Sequence, residues 1–267
     1  MNNILLMTDL SDGNEHIYRY ALKLAHKLSA NLIVLHVAED MGINHMELSK
    51  KMEDLTLHLR EESQHEKEGG IEISGVIERG VFPFGVKEVI DRFKVNLILM
   101  GAADGKNESG FLFGNKVRRI IDNIKYPILF IPEQVAFKDI KQIIYVTDIR
   151  YSDYKIIERL VAMVLPLNIE VSLLHVCTEG LPEIDTETVV SLFSDTIASR
   201  IKQPIHLYRN SKDCAAETTI SQLLNSQSQT ILALAHRKHH FFNHLFTDKP
   251  AKEATIYKHM PLLLMPV

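Results

Sequence analysis

The 267-residue sequence has little cysteine, no long apolar run and no large surplus of charge. Its two cysteines, Cys177 and Cys214, are too few for a disulfide framework or a cysteine-rich zinc site, and two thiols suit a reducing cytoplasm. Residues 1–9 lack the basic region of a signal peptide, and no stretch approaches the ~18 apolar residues that a membrane span needs. A formal net charge of -4 offers no basic surface for nucleic acid. These absences predict a cytoplasmic protein that binds neither membranes nor nucleic acid.

The sequence contains an internal repeat, which indicates two domains rather than one. Four apolar blocks recur in the same order, the first two at an offset of 139 residues and the last two at an offset of 134. Gene duplication explains this order with a single five-residue loss in the second copy. The paired blocks are 4–9 with 143–148, 32–37 with 171–176, 97–100 with 231–234, and 126–132 with 260–266. We therefore expect domains at residues 1–132 and 139–267.

Each copy alternates short apolar runs with amphipathic stretches. Runs that are apolar at consecutive positions are typical of strands buried on both faces of a parallel sheet. Strands are predicted at about 3–7, 31–37, 71–77, 96–100 and 127–131, and helices at about 16–28, 46–68, 84–93 and 114–124. The second copy repeats this pattern with a shorter second helix, at about 186–199. The alternation predicts an α/β fold of two tandem, doubly wound parallel sheets.

Ligands of such sheets bind beyond the carboxyl ends of the strands, where the strand order reverses. In the first copy, the residues after strands one, two and four are 8–11, 36–38 and 101–105. The glycine-rich segment after strand four leads into a helix at Gly114–Asn115, an arrangement that binds phosphate through free backbone N–H groups and the helix dipole. The alternative is a glycine loop followed by an ordinary helix N-cap.

These features together resemble the universal stress protein family. The Thr-Asp-Leu-Ser motif within 7–11 and the Leu-His-Val motif within 34–37 match the ends of its first two strands. Gly101 and Gly114 match the first and third glycines of its nucleotide motif, G-x2-G-x9-G-S/T, and Pro127 matches the proline before its last strand. The resemblance covers both copies. It implies five-stranded Rossmann-like domains of the adenine nucleotide α-hydrolase type, packed about a pseudo-twofold axis, with a further homodimer as an alternative assembly.

The resemblance also implies a set of nucleotide contacts in the first domain. Asp9 would accept hydrogen bonds from ribose or adenine, Val37 would offer backbone groups to adenine, and Gly101 would lie against the ribose. The full set of implied cofactor-binding residues is Asp9, Val37, Met100, Gly101, Asp104, Gly105, Gly114, Asn115, Lys116 and Val117. The implied ligands are ATP, ADP or AMP, with Mg²⁺ accompanying ATP. The alternative for Asp9 is a turn partner of the Ser11–Asn14 segment.

Two positions of the first copy depart from the family motif. Asp104 stands where the second glycine belongs, with Gly105 one place late, and Asn115 stands in place of the Ser or Thr. A carboxylate ~4 Å from a phosphate at an effective dielectric of ~20 costs about 4 kcal/mol. Binding of ATP then requires Asp104 to turn outward or to share a divalent cation with the phosphates.

The second copy departs further. Ala235, Lys238 and Asp248 replace all three motif glycines, while Asp148 is retained. We expect no nucleotide binding of the family's kind in this half. The histidine-rich segment 236–244 could hold a metal ion on a helix, but Arg237 and Lys238 favour a basic loop or a docking patch. No metal site is therefore predicted.

Two functions remain open from the sequence. The first is a stress-response regulatory protein whose N-terminal domain binds an adenine nucleotide. The second is a nucleotide-free tandem scaffold that acts through protein partners. No paired carboxylates, nucleophile–base set or Walker lysine indicates an enzyme, so no catalytic residue is predicted, and slow ATP hydrolysis would be the most that we expect.

Overall fold

The protein is described from a computed structural model. It describes residues 3–39, 44–65, 70–102, 115–133, 135–151, 153–176, 182–209, 229–235 and 260–267, with backbone only for 102, 115–118 and 209. The chain divides into two compact units, Met1–Phe137 and Lys138–Val267.

The first unit is a parallel sheet with alternating helices. The strands lie side by side in the order β3-β2-β1-β4-β5, and every described pairing is parallel. Its elements are β1 (Asn3–Met7), α1 (Glu15–Leu28), β2 (Asn31–Ala38), α2 (His45–His65), β3 (Ile73–Arg79), α3 (Phe82–Phe93), β4 (Leu97–Ala102), α4 (Asn115–Asn123) and β5 (Ile128–Pro132).

Consecutive burial explains the central strands of this unit. From Ile4 to Met7 and from Leu32 to Ala38 every side chain is buried, because helices cover both faces of the sheet. Helix α1 buries one apolar stripe against the sheet and ends at Ser29, whose φ of 47° lies in the left-handed region. Buried Tyr20 on this stripe meets Phe137 edge to face, with ring centroids 5.1 Å apart. These contacts confirm the α/β fold class.

Several element boundaries differ from the predicted ones, by two residues at both ends of β3, at the end of β4 and at the start of α3. Strand β3 runs to Arg79 instead of residue 77, because one face of this edge strand is open and polar residues continue it. Helix α3 begins at Phe82, two residues before the predicted start, since Pro83 is tolerated in a first helical turn.

The second unit repeats the topology of the first. Its strand order is β10-β9-β6-β7-β8, which corresponds one to one with β5-β4-β1-β2-β3. The described elements are β6 (Gln142–Thr147), a 3₁₀ turn (Ile149–Tyr151), α5 (Tyr154–Val164), a second 3₁₀ turn (Leu165–Leu167), β7 (Glu170–His175), α6 (Thr186–Phe193) continued by a π-helical turn (Ser194–Ala198), β8 (His206–Arg209), β9 (Thr230–Ala235) and β10 (Leu262–Met265).

Within the residues described, none of the helices is both long enough and apolar enough to cross a bilayer.

Candidate functional site

In the first unit, the strand order reverses at the carboxyl ends of β1, β2 and β4, and we call this place the crevice. Strand β1 lies between β2 and β4, so the chain runs outward through β2 and β3 and then returns to the other side of β1. This reversal is the topological switch point at which ligands of open α/β sheets bind. The register pairs Met7 with Leu35 and Leu6 with Leu99, so Asp9, Val37 and Gly101 all follow at the same edge.

Asp9 organises the loop between β1 and α1. Its Oδ1 accepts hydrogen bonds from Ser11 N–H at 3.0 Å, Ser11 Oγ at 2.7 Å and Asn14 Nδ2 at 2.8 Å. Burial raises the pKa of Asp9, but these hydrogen bonds outweigh burial and hold the pKa below its ordinary value. Among the described residues, no hydrogen bond engages Oδ2. Asp9 is thus a turn partner through one oxygen and an available acceptor through the other.

The start of the same loop is fixed from two sides by Thr8. Its hydroxyl lies 2.6 Å from the hydroxyl of Tyr18 on α1, and its carbonyl accepts the Nδ1–H of buried His36 at 3.0 Å. Leu10 takes a left-handed φ of 59° while its N–H donates to Thr8 Oγ1 at 3.0 Å. Burial raises the pKa of Tyr18, which keeps this phenol protonated.

Val37 directs its backbone groups into the crevice. Thr8 N–H donates to the carbonyl of Leu35 at 2.9 Å, so the polar backbone groups of Leu35 face β1. Strand geometry repeats every two residues, and therefore the N–H and C=O of Val37 face the same side, just beyond the end of β1. If the parallel ladder continued by one bond, Val37 N–H would donate to the carbonyl of Thr8. That carbonyl accepts the Nδ1–H of His36 instead.

Gly101 is not forced to be glycine by the residues that the structure describes. It pairs with Ile131 in the sheet, and among the described residues a Cβ built on it would meet Cδ1 of Ile17 alone, at an ordinary 3.7 Å. Its neighbour Met100 is buried in β4.

The remaining predicted contacts belong to the segment after β4. Asp104, Gly105 and Gly114 lie outside the described residues. The backbone of Asn115, Lys116 and Val117 forms the first turn of α4, which contains no acidic residue. This turn follows the strand that carries Gly101, as the phosphate-site prediction requires.

Sequence reasoning did not identify an ion pair that joins three elements around this crevice. Glu39, two residues after Val37, accepts hydrogen bonds from Arg119 of α4 at 2.7 and 3.1 Å. Glu39 also accepts the N–H of Phe82, at the start of α3, at 3.1 Å, and the Arg119 guanidinium lies 5.7 Å from the Phe82 ring centroid. The hydrogen bond to Glu39 raises the pKa of Arg119. A carboxylate directly after β2 was the only signal in the sequence.

The corresponding edge of the second unit has a different charge arrangement. Asp148 corresponds to Asp9, but it is fully buried and forms a bidentate ion pair with Arg150, which stands at the position of Ser11. Arg150 also donates to the carbonyl of Pro182 at 2.7 Å. The retained aspartate is therefore satisfied by the protein itself.

The backbone of the second unit is closed at the equivalent of Val37. Val176 N–H donates to the carbonyl of Thr147 at 3.0 Å, which extends the parallel ladder by one bond. His175, the equivalent of His36, accepts at Nδ1 from the N–H of Ile149 at 3.3 Å. The N–H of Val37 therefore faces the crevice in the first unit, whereas the N–H of the equivalent Val176 is used in an internal hydrogen bond in the second.

No group of three or more His, Cys, Asp or Glu side chains suited to a metal ion occurs in the part of the chain that the structure describes. The segment 236–244 and both cysteines, Cys177 and Cys214, lie outside that part.

Fold and site together define a doubly wound α/β protein, with polar and backbone groups gathered at the switch point of its first unit. Residues 1–132 match the sequence model of the Universal stress protein family. The first unit of this chain belongs to the universal stress protein family.

Individual relatives extend the likeness to both units. Universal stress protein Slr1230 of Synechocystis sp. is 28% identical, over 72% of this chain and 75% of its own length. A universal stress protein of Archaeoglobus fulgidus has a similar structure, with a TM-score of 0.70, 16% identity and coverage of 99% of this chain and 98% of its own. A functionally unknown protein of Pseudomonas aeruginosa has a TM-score of 0.59 at 12% identity, covering 100% and 93%. At these identities, the two structures establish the fold alone.

Proposed function

We propose that the chain is a stress-response regulatory protein whose first unit, residues 1–132, binds an adenine nucleotide. The observation that carries this proposal is the outward-facing backbone of Val37, whose N–H and C=O can pair with the edge of an adenine ring. The Oδ2 of Asp9 supplies an acceptor beside it for a ribose hydroxyl. Gly101, which has no side chain, would let the sugar and the first phosphate approach the end of β4 closely.

The N-terminus of α4 would receive the phosphates. The first backbone N–H groups of a helix have no partner within the helix, and together with the positive end of the helix dipole they favour an anion there. Lys116 adds positive charge in the same turn. We propose ATP, ADP or AMP as ligands, with Mg²⁺ accompanying ATP, and a cytoplasmic location, which the low cysteine content supports.

A binding experiment with the full chain tests this function. Calorimetric titration with adenosine, AMP, ADP and ATP, with and without Mg²⁺, should give saturable binding at one site per chain. Mass spectrometry of small molecules released from protein purified without added nucleotide should recover an adenine nucleotide. Failure of both measurements would leave no nucleotide function.

A nucleotide-free scaffold is the second candidate, and the second unit supports it. Asp148 and Val176 use internally the groups that Asp9 and Val37 present in the first unit. That half keeps the fold without the site, which favours a role in protein interaction. In the titration above, a chain that binds no nucleotide would support the scaffold.

A further inference from the structure

The ion pair between Glu39 and Arg119 sits between the two halves of the proposed nucleotide site. Glu39 is two residues beyond Val37, about 7 Å along an extended chain. Arg119 is four residues beyond Asn115, about 6 Å along the helix axis. Both charges therefore lie within about one Debye length of the positions proposed for adenine and phosphates.

The charges around the start of α4 determine how this ion pair would act on bound phosphates. Arg119 follows directly after the first turn of α4, which contains no acidic residue and forms the positive end of the helix dipole. Glu39 is the carboxylate that the fold brings to this region from β2. Without Arg119, its negative charge would face an incoming polyphosphate.

The geometry holds both partners in place. Arg119 binds Glu39 through two nitrogens, the bidentate arrangement that fixes a guanidinium best. Glu39 is held by the Phe82 N–H, a donor at the start of α3 that has no partner within the helix. Both side chains are about one-third exposed, at 34% for Glu39 and 39% for Arg119, so solvent screening moderates their effect without removing it.

We propose that Glu39 and Arg119 set the phosphate preference of the site: Arg119 neutralises Glu39, so that nucleotides with more phosphates are not repelled. This inference rests on the proposed nucleotide site and adds a determinant of specificity to it. Removing one partner changes the local charge by one unit in a known direction, whereas removing both leaves the net charge as it was.

The test compares ATP with adenosine in a charge cycle. Arg119→Gln should weaken ATP binding by about tenfold, and Glu39→Gln should strengthen it by a similar factor. The double variant should bind ATP within about threefold of wild type. Adenosine, which carries no charge, should bind all four proteins equally, and the ATP effects should shrink as salt is added.

A matched control is available within the same unit. Arg92 also pairs with a glutamate, Glu78, and stacks on a phenylalanine, Phe93, with its guanidinium carbon 5.0 Å from the ring centroid. Arg92 lies ten residues along α3 from Phe82, about 15 Å away along the axis, and Glu78, the sheet partner of Val37, lies on the edge strand β3, one strand farther than Glu39 from β4, which leads to the proposed phosphate position. Arg92→Gln should therefore leave the ratio of ATP to adenosine affinity unchanged.

The outcomes separate this inference from the function on which it rests. Equal losses of ATP and adenosine binding in both single variants would show that the ion pair only holds the fold together, and would overturn the inference. The proposed nucleotide site would stand in that case. Unchanged ATP affinity in properly folded single variants, checked by circular dichroism, would also overturn it. A wild-type chain that binds neither ligand would overturn the proposed function and this inference together.

Discussion

The Nδ1 of His36 lies 3.0 Å from the carbonyl oxygen of Thr8 and donates its proton there. This hydrogen bond takes the place of the ladder bond that Val37 N–H would make. In the second unit the ladder bond forms, because Thr147 accepts from Val176 N–H. One side-chain hydrogen bond thus distinguishes the first unit, where we propose that the backbone of Val37 recognises adenine, from the second unit, where the equivalent backbone amide is used internally.

His36→Phe should close this edge in the first unit. Without the imidazole donor, the half-buried Thr8 carbonyl needs a partner, and the Val37 N–H is the donor that a continued parallel ladder would bring to it. We expect adenosine affinity to fall by about tenfold, the worth of roughly one hydrogen bond, with little change in the far-ultraviolet circular dichroism spectrum. His36→Asn keeps a donor near Nδ1 and should retain binding. Loss of binding in both variants would mean that the ring acts through packing.

Arg150→Ser should destabilise the second unit. It copies the first unit's Ser11, but it leaves the fully buried Asp148 carboxylate without its cation. Breaking a buried ion pair by removing one partner costs about 3–5 kcal/mol in the free energy of unfolding. Urea denaturation measures this loss, and adding Asp148→Asn to the variant should recover part of it.

The control for that experiment is an exposed pair. Arg92→Ser removes the partner of Glu78 where the arginine side chain is 53% exposed, and should change stability by no more than about 1 kcal/mol. Equal losses in Arg150→Ser and Arg92→Ser would contradict the importance of burial at Asp148.

Two glycines of the first unit should separate folding from binding. A Cβ on Gly75 would lie 2.6 Å from Cγ of Met52 and 2.9 Å from Cγ2 of Thr56, so Gly75→Ala should cost about 1–3 kcal/mol of stability. Among the described residues, a Cβ on Gly101 meets Ile17 alone, at 3.7 Å, so Gly101→Ala should fold normally. If ribose lies against Gly101, the added methyl group should nevertheless abolish nucleotide binding. Thermal melting should show lost stability in Gly75→Ala but not in Gly101→Ala, and calorimetry should show lost nucleotide binding in Gly101→Ala. Full nucleotide binding by Gly101→Ala would contradict this prediction.

The sequence predicted the sheet better than the hydrogen bonds at its edge. Strand β1 was predicted with the observed bounds because its buried residues are all apolar, whereas the end of β3 was missed because Glu78 and Arg79 are polar. Arg150 stands in the second copy at the position that Ser11 holds in the first. This substitution could have indicated that the Asp148 carboxylate is neutralised within the protein. The opposite roles of His36 and His175 could not be predicted, since both stand in the same Leu-His-Val context and differ only through the loops that they contact.

The last prediction concerns Asp104, the residue that replaces the second motif glycine. If the first unit binds ATP, this carboxylate either turns away from the phosphates or shares a cation with them. Asp104→Gly should strengthen ATP binding more than AMP binding, because repulsion between like charges grows with the number of phosphate charges. The gain should shrink as salt is added if the segment is exposed to solvent.

Titrating ATP and AMP against wild type and Asp104→Gly, with and without Mg²⁺, distinguishes the two positions of the carboxylate. A gain for ATP that exceeds the gain for AMP, both with and without magnesium, would show direct repulsion. Weaker ATP binding in the variant only when magnesium is present would identify Asp104 as a ligand of the shared cation, because oxygen ligands from protein and phosphate together hold Mg²⁺. Unchanged affinity for both nucleotides would contradict the prediction, since it would mean that the carboxylate faces solvent. Arg119→Gln measured alongside supplies a change of the opposite sign of charge on α4, so a loss of ATP affinity there and a gain in Asp104→Gly would show that both residues act on the phosphates through their charge.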